Sequence, residues 1–264
     1  MTSSRLARTF AGLRARGRGG LVAYVTAGDP DAARSARVLY AVARGGADVI
    51  EVGVPFSDPL ADGPVIQRAS ERALAAGMTL RGSLDLVRVF RRSHQTPVVL
   101  FTYADPVVRM DPAAFAAEAK DAGVDGVLIL DYPVEEAEPL RSILAGEGLD
   151  PVFLISPTTS DERVRQSSKL GGGFLYVISR LGVTGARDRM AADAGALVER
   201  VKAQTTLPVA LGFGISTPEH VAAACEHADA AVVGSAIVNV IAENAANGAP
   251  GAVREYVRWL KSGL

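Results

Sequence analysis

Short apolar runs recur along the chain, and each is followed by a longer stretch in which apolar residues fall three or four positions apart. The runs are Leu21–Thr26, Asp48–Gly53, Val98–Tyr103, Gly126–Leu130, Val152–Ile155, Phe174–Ile178, Val209–Leu211 and Ala230–Val233. Each is only a few residues long and rich in β-forming side chains, so they read as strands. They are continuous rather than alternating, the pattern of a parallel sheet buried on both faces. The stretches between them predict helices over 31–44, 64–76, 80–92, 112–122, 134–147, 161–170, 191–204 and 218–227, with further helical segments over 237–244 and 252–261. Eight alternating strand–helix units predict an α/β fold, a (β/α)8 TIM barrel. A doubly wound open sheet is the second architecture this alternation allows. No linker-like or low-complexity segment interrupts the series, so residues 1–264 are expected to form a single domain.

Leu6, Phe10 and Leu13 lie at helical spacing ahead of the first strand. Five arginines and no acid in the first twenty residues resemble a transit peptide on the surface. Gly17-Arg18-Gly19-Gly20, however, leads straight into an apolar strand, so the expectation is an extra N-terminal amphipathic helix capping one end of the barrel.

Composition narrows the function classes. A net charge of −1 offers no footprint for nucleic acid or an anionic membrane. No apolar run approaches transmembrane length. The single cysteine, Cys225, rules out an internal disulfide and fits a reducing, cytoplasmic location. His94, His220 and His227 fall on or beside predicted helices, and no His/Cys/Asp/Glu cluster has ligand spacing, so no metal site is expected.

In such a barrel, chemistry sits at the carboxyl ends of the strands. The residues there include Glu51 and Asp62 after the second strand, Tyr103 after the third, Asp131 after the fourth and Tyr176 in the sixth. Glu51 stands among Val49, Ile50, Val52 and Val54, where desolvation would raise its pKa and suit it to shuttle protons. A rim glutamate paired with a basic residue is the other reading. Asp62 is either a ligand-facing carboxylate or the N-cap of the next helix, and Asp58 looks like a turn former. Gly212-Phe213-Gly214 and Gly234-Ser235 each follow a strand and open a helix, which suits a phosphate held on backbone amides, although ordinary glycine turns share the pattern. The loop Ser179–Arg189 is long for a βα connection and reads as either a lid over the site, hinged at Gly182 and Gly185, or a solvated loop. The residues by themselves reach a barrel that binds a small phosphorylated molecule and moves protons with carboxylates.

Five stretches together resemble the tryptophan synthase α-subunit family: Tyr24-Val-Thr-Ala-Gly-Asp-Pro30, the run from Glu51 through Pro55-Phe-Ser-Asp-Pro-Leu-Ala-Asp-Gly-Pro64, Ser179-Arg-Leu-Gly-Val-Thr-Gly185, Gly212-Phe-Gly-Ile-Ser216 and Gly234-Ser-Ala-Ile-Val238. The resemblance runs from about residue 5 to the C-terminus and implies retro-aldol cleavage of indole-3-glycerol phosphate to indole and glyceraldehyde 3-phosphate. It makes Glu51 the proton shuttle, Asp62 the partner of the indole N–H, and Tyr176 a group that orients the substrate or Glu51. Tyr24, Ile66 and Phe213 would wall the indole. Thr184 would hydrogen-bond a neighbour or ligand, and Gly185, Phe213, Gly214, Gly234 and Ser235 would hold the phosphate. The family works with a pyridoxal-phosphate β subunit in an α2β2 assembly, and the α chain itself carries no cofactor. Partner contacts are expected at Pro55, Phe56, Asp58, Pro59, Asp105, Tyr132 and Pro133. Here the chain departs from the family pattern: Asp105 replaces a usual asparagine, and Tyr132 a smaller aliphatic residue.

Overall fold

In the computed structural model, residues 4–179, 187–212, 214–246 and 248–264 are described. Their elements run in the order α1 (Arg5–Ala15), β1 (Gly20–Thr26), α2 (Ala32–Gly45), β2 (Val49–Gly53), α3 (Pro64–Ala75), α4 (Leu80–Arg91), β3 (Val98–Thr102), α5 (Ala104–Met110), α6 (Pro112–Ala122) and β4 (Gly126–Ile129). There follow α7 (Glu138–Gly146), β5 (Asp150–Ile155), α8 (Asp161–Leu170), β6 (Leu175–Ile178), α9 (Arg187–Lys202), β7 (Val209–Gly212), α10 (Pro218–His227), β8 (Ala230–Val233), α11 (Ser235–Glu243) and α12 (Ala249–Lys261). The eight strands close into a barrel in sequence order. Every neighbouring pair is parallel, and β8 returns to β1. The open-sheet alternative is thereby excluded.

Alternation along each strand separates two apolar layers. Val22, Val49, Val99, Leu128, Val152, Ala210, Ala230 and Val232 form the inner cluster. Their neighbours Leu21, Ala23, Ile50, Val52, Leu100, Val177, Leu211 and Val233 belong to the outer cluster, packed with residues of the helices. Both strand faces are buried, which is why the runs in the sequence do not alternate.

α1 does what its spacing predicts. Leu6, Phe10 and Leu13 are buried and join the inner cluster, with Phe10 5.5 Å from Phe174 between ring centroids. The inner residues they meet lie at strand beginnings, so α1 plugs the amino-terminal pole. Ser4 Oγ donates to Asp150 at 2.6 Å and Arg5 to Asp125 at 2.7 Å, tying the plug to the barrel.

A repeated bond also closes that pole. Asp48, Asp125 and Asp229 stand directly ahead of β2, β4 and β8. Each accepts the backbone N–H at the start of the preceding strand, from Leu21 at 2.8 Å, Val98 at 2.9 Å and Val209 at 2.9 Å. Charges in these positions serve the scaffold, which leaves the carboxyl ends of the strands free for chemistry. α5 and the early start of α9 at Arg187 were not foreseen; a helix at Ala104–Met110 falls in what the sequence left as a connection.

Candidate active site

Of the predicted residues that are described, Tyr24, Glu51, Asp62 and Tyr176 lie at or near the carboxyl-terminal mouth. Glu51 points into the barrel from β2 and is fully buried. Neither carboxylate oxygen has a hydrogen-bond partner among the described residues. With nothing to compensate its charge, burial pushes its pKa up to about 8. Among the described residues no cation pairs with it, which argues against the rim-pair reading.

Asp62 is half-buried in the loop between β2 and α3. It is not the cap of that helix: the N-cap is Gly63, with no side-chain bond, and Pro64 opens the first turn. Its carboxylate instead accepts the hydroxyl of Tyr103 at 3.0 Å. Burial raises its pKa to about 6, and the Tyr103 bond opposes that rise. Two acids at one mouth are thus held at different strengths, the buried one protonated at neutral pH and the loop-borne one mostly ionised.

Tyr103 is the residue whose role the sequence did not disclose. It follows β3 directly, accepts the Ala61 N–H at 3.2 Å and stacks on Phe56 at 5.0 Å. It thereby pins both ends of the loop 54–63 to the barrel. No motif signals this, because the partners lie about 40 residues apart and meet only when β2 and β3 pair. The bond between Asp131 and the Ala104 N–H, 2.7 Å, likewise makes Asp131 an anchor for the start of α5 rather than a site group.

An apolar wall faces the acids. Tyr24, Ile66, Ala69 and Val238 form a buried cluster joined by Val65 and Phe101. The Tyr24 and Phe101 rings meet edge to face at 5.3 Å. Tyr176 reaches the interior from β6, and a Cβ at Gly212 would lie 2.6 Å from its hydroxyl, so glycine there makes room for the ring. Burial first, then the charge of Glu51, pushes the Tyr176 pKa well up, so it stays a neutral phenol.

The two expected phosphate turns differ. At α10 Thr217 caps its own helix by accepting the His220 N–H at 3.3 Å. At α11 the N-cap is Gly234, without any side-chain bond, and Ser235 is exposed. The uncapped first turn of α11 therefore presents the free amides. It adjoins the apolar wall, since a Cβ on Gly234 would lie 3.6 Å from that of Tyr24. Gly214 is exposed in the turn before α10. Thr184, Gly185, Phe213 and the greater part of the expected lid lie outside the described residues.

On the outer face of the mouth, Phe56 is half-buried, Asp58 exposed and Leu60 95% exposed. Pro55, also expected at the contact surface, is buried within this chain. Asp105 pairs with Arg109 on its own helix at 2.9 Å, which neutralises its charge locally. The Tyr132 ring packs with Val134, Ala137, Leu170 and Phe153, so it fills the body of the protein more than the surface; Pro133 beside it is exposed. Among the described residues no three His, Cys, Asp or Glu side chains gather as a metal site, and no helix is long and apolar enough to cross a membrane.

The fold defines a class, the (β/α)8-barrel enzymes, and the mouth of this barrel gathers two acids, an apolar wall and a helix start without a side-chain cap. Within that class the chain belongs to the tryptophan synthase alpha chain family, whose profile matches residues 10–261. It is 48% identical to the tryptophan synthase alpha chain of Burkholderia thailandensis over 262 residues, covering 99% of this chain and 97% of that one. The alpha chain of Paraburkholderia phymatum is similar to the same degree, 48% over 262 residues, again 99% and 97% of the two chains. Among solved structures it resembles tryptophan synthase subunit alpha from Legionella pneumophila, with a TM-score of 0.93, 37% identity and coverage of 99% and 98%. It also resembles a chain of tryptophan synthase from M. tuberculosis in its open form, with a TM-score of 0.90, 33% identity and coverage of 99% and 98%.

Proposed function

We propose that the protein is a carbon–carbon lyase of L-tryptophan biosynthesis that cleaves indole-3-glycerol phosphate to indole and glyceraldehyde 3-phosphate, with the whole chain 1–264 acting as one domain. The observation that carries this reading is the pair of unequal acids, Glu51 at about 8 and Asp62 at about 6, set beside an apolar wall.

Glu51, protonated at neutral pH, gives its proton to C3 of the indole. The ring becomes an indoleninium whose positive charge lies on its N–H, and ionised Asp62 accepts a hydrogen bond from that N–H. Glu51, now a carboxylate, takes the proton of the glycerol hydroxyl next to the bond to be broken. The carbon–carbon bond cleaves, its electrons return to the ring, and the hydroxyl carbon leaves as the aldehyde. Glu51 ends as it began, so the cycle balances without an outside proton. Tyr176, a neutral phenol, orients the substrate or Glu51. Tyr24 and Ile66 wall the ring, with Phe213. The amides of Gly234 and Ser235, together with Gly214, Phe213, Gly185 and Thr184, take the phosphate. Every step is a proton transfer or an electron return within the substrate, so the scheme calls on no cofactor of this chain.

The partner we infer is a tryptophan synthase β subunit that carries pyridoxal phosphate, in an α2β2 assembly. An exposed Leu60 on the loop that carries Phe56, Asp58 and Pro59 supports that face. Because Tyr103 bonds both Ala61 and Asp62, a partner seated on this loop would bear directly on an acid of the site. The test is indole formation from indole-3-glycerol phosphate by the purified chain, with and without a β subunit. Strong activation is expected. No indole in either case overturns the lyase reading, and full activity of the chain alone overturns the partner reading.

A further inference from the structure

Tyr24 enters the site as an apolar wall, yet its hydroxyl lies in the polar part of the mouth. β1 and β2 pair with Tyr24 opposite Glu51 and Thr26 opposite Gly53. Alternate residues face inward, so these four side-chain positions form one patch of the inner barrel wall. A Cβ on Gly53 would lie 2.0 Å from the Tyr24 hydroxyl oxygen. The ring therefore crosses from β1 onto β2 and sets its hydroxyl over Gly53, two residues along the same face from Glu51. Any side chain at position 53 would evict it.

The bonding in this patch is incomplete. The hydroxyls of Tyr24 and Thr26 are 3.4 Å apart, at the long end of a hydrogen bond, and either can donate. Both residues are buried, Tyr24 at 6% and Thr26 at 1% exposure. If Thr26 donates, the phenolic proton is free. Glu51, alongside, has two buried oxygens with no partner among the described residues. A donor and an acceptor left short in one dry patch are completed most cheaply by each other, and the bond strengthens when the acceptor becomes charged.

We propose that Tyr24 is a positioning residue for proton transfer: its hydroxyl donates to Glu51 when Glu51 becomes a carboxylate, while the Thr26 hydroxyl donates to the phenolic oxygen. No proton changes owner in this relay; it holds the carboxylate in place for the second transfer. The inference rests on Glu51 being the shuttle. Tyr176, from β6, also feels the charge of Glu51, and both tyrosines feel Asp62, which Tyr103 holds in the loop. Burial and the charges of Asp62 and Glu51 push the Tyr24 pKa far up, which keeps it a donor at any working pH.

Tyr24→Phe keeps the ring and its wall and removes only the hydroxyl. Two readouts apply: kcat and KM for indole-3-glycerol phosphate, and a difference-infrared titration of the Glu51 carboxyl with Glu51→Gln as blank. Expected in Y24F is a Glu51 titration moved to higher pH, and a kcat lowered about 10- to 100-fold with KM held within about twofold, the size of a hydrogen bond to a charged group. Tyr24→Leu, which damages the wall, is expected to raise KM. Thr26→Val is expected to give a smaller shift that vanishes in the Y24F background, because the relay runs through Tyr24. A Y24F protein that titrates Glu51 as the wild type does, or a Thr26→Val effect that persists in that background, overturns the proposal. The infrared titration needs no turnover, so a wild type that forms no indole would sink the lyase reading while leaving this test intact.

Discussion

Glu51→Gln offers a quantitative test of how the barrel holds its acid. The carboxyl titrates near 4.5 in an unfolded chain and near 8 when buried in the fold. Between those values the folded state holds a proton that the unfolded state has lost, so stability falls as pH rises through this window. Its contribution is fully present below about pH 4.5, and above about 8 the loss levels off. Each pH unit is worth about 1.4 kcal/mol, so the penalty at pH 7 is about 3 kcal/mol and its ceiling is about 5 kcal/mol. Glutamine has nearly the shape of a protonated glutamate and cannot ionise. The variant is therefore expected to lose cleavage while gaining stability over wild type, by an amount that grows with pH. The assay is urea unfolding of both proteins from pH 4.5 to 9, taking the difference at each pH, where other titrating groups largely cancel. A difference that stays flat across this range would refute the claim that Glu51 is buried without compensation. The same reasoning gives the barrel its cost: an acid buried without a partner among the described residues weakens the fold at neutral pH.

Further outcomes follow from the same geometry. The pH dependence of kcat/KM is expected to be bell-shaped, rising as Asp62 ionises near 6 and falling as Glu51 ionises near 8; a profile flat between pH 5 and 9 would contradict both assignments. Tyr103→Phe removes the bond that lowers the Asp62 pKa, so the acid limb is expected to move to higher pH, and an unmoved limb would count against that bond. Asp125→Ala leaves the Val98 N–H and the Arg91 guanidinium without their carboxylate and is expected to cost about 3 kcal/mol in denaturation, with kcat unchanged in the folded fraction. Phe10→Ala opens the plug of the amino-terminal pole, and calorimetry is expected to show a loss of about 3 to 5 kcal/mol.

Much of the molecule was written in the order of its residues. Eight doubly buried apolar runs alternating with helices permit few architectures, because parallel strands need crossovers and crossovers need length. The amphipathic spacing of Leu6, Phe10 and Leu13 foretold the plug, and Glu51 stood out because a carboxylate amid valines carries a desolvation cost that only function or pairing explains. The family motif then ranked the acids.

What the sequence could not supply were contacts between distant segments. Pairing of β1 with β2 brings Thr26, Tyr24, Gly53 and Glu51 into one patch, and no local pattern encodes that meeting. Tyr103 reached Asp62 only when β2 and β3 closed side by side, which turned a suspected helix cap into a tuned carboxylate. Tyr132 and Pro55 read as surface residues until packing buried them wholly or in part. Local periodicity decides which elements form, because it depends on spacing along one segment. Which hydroxyl meets which acid depends on strand register and barrel closure, and those exist only in three dimensions.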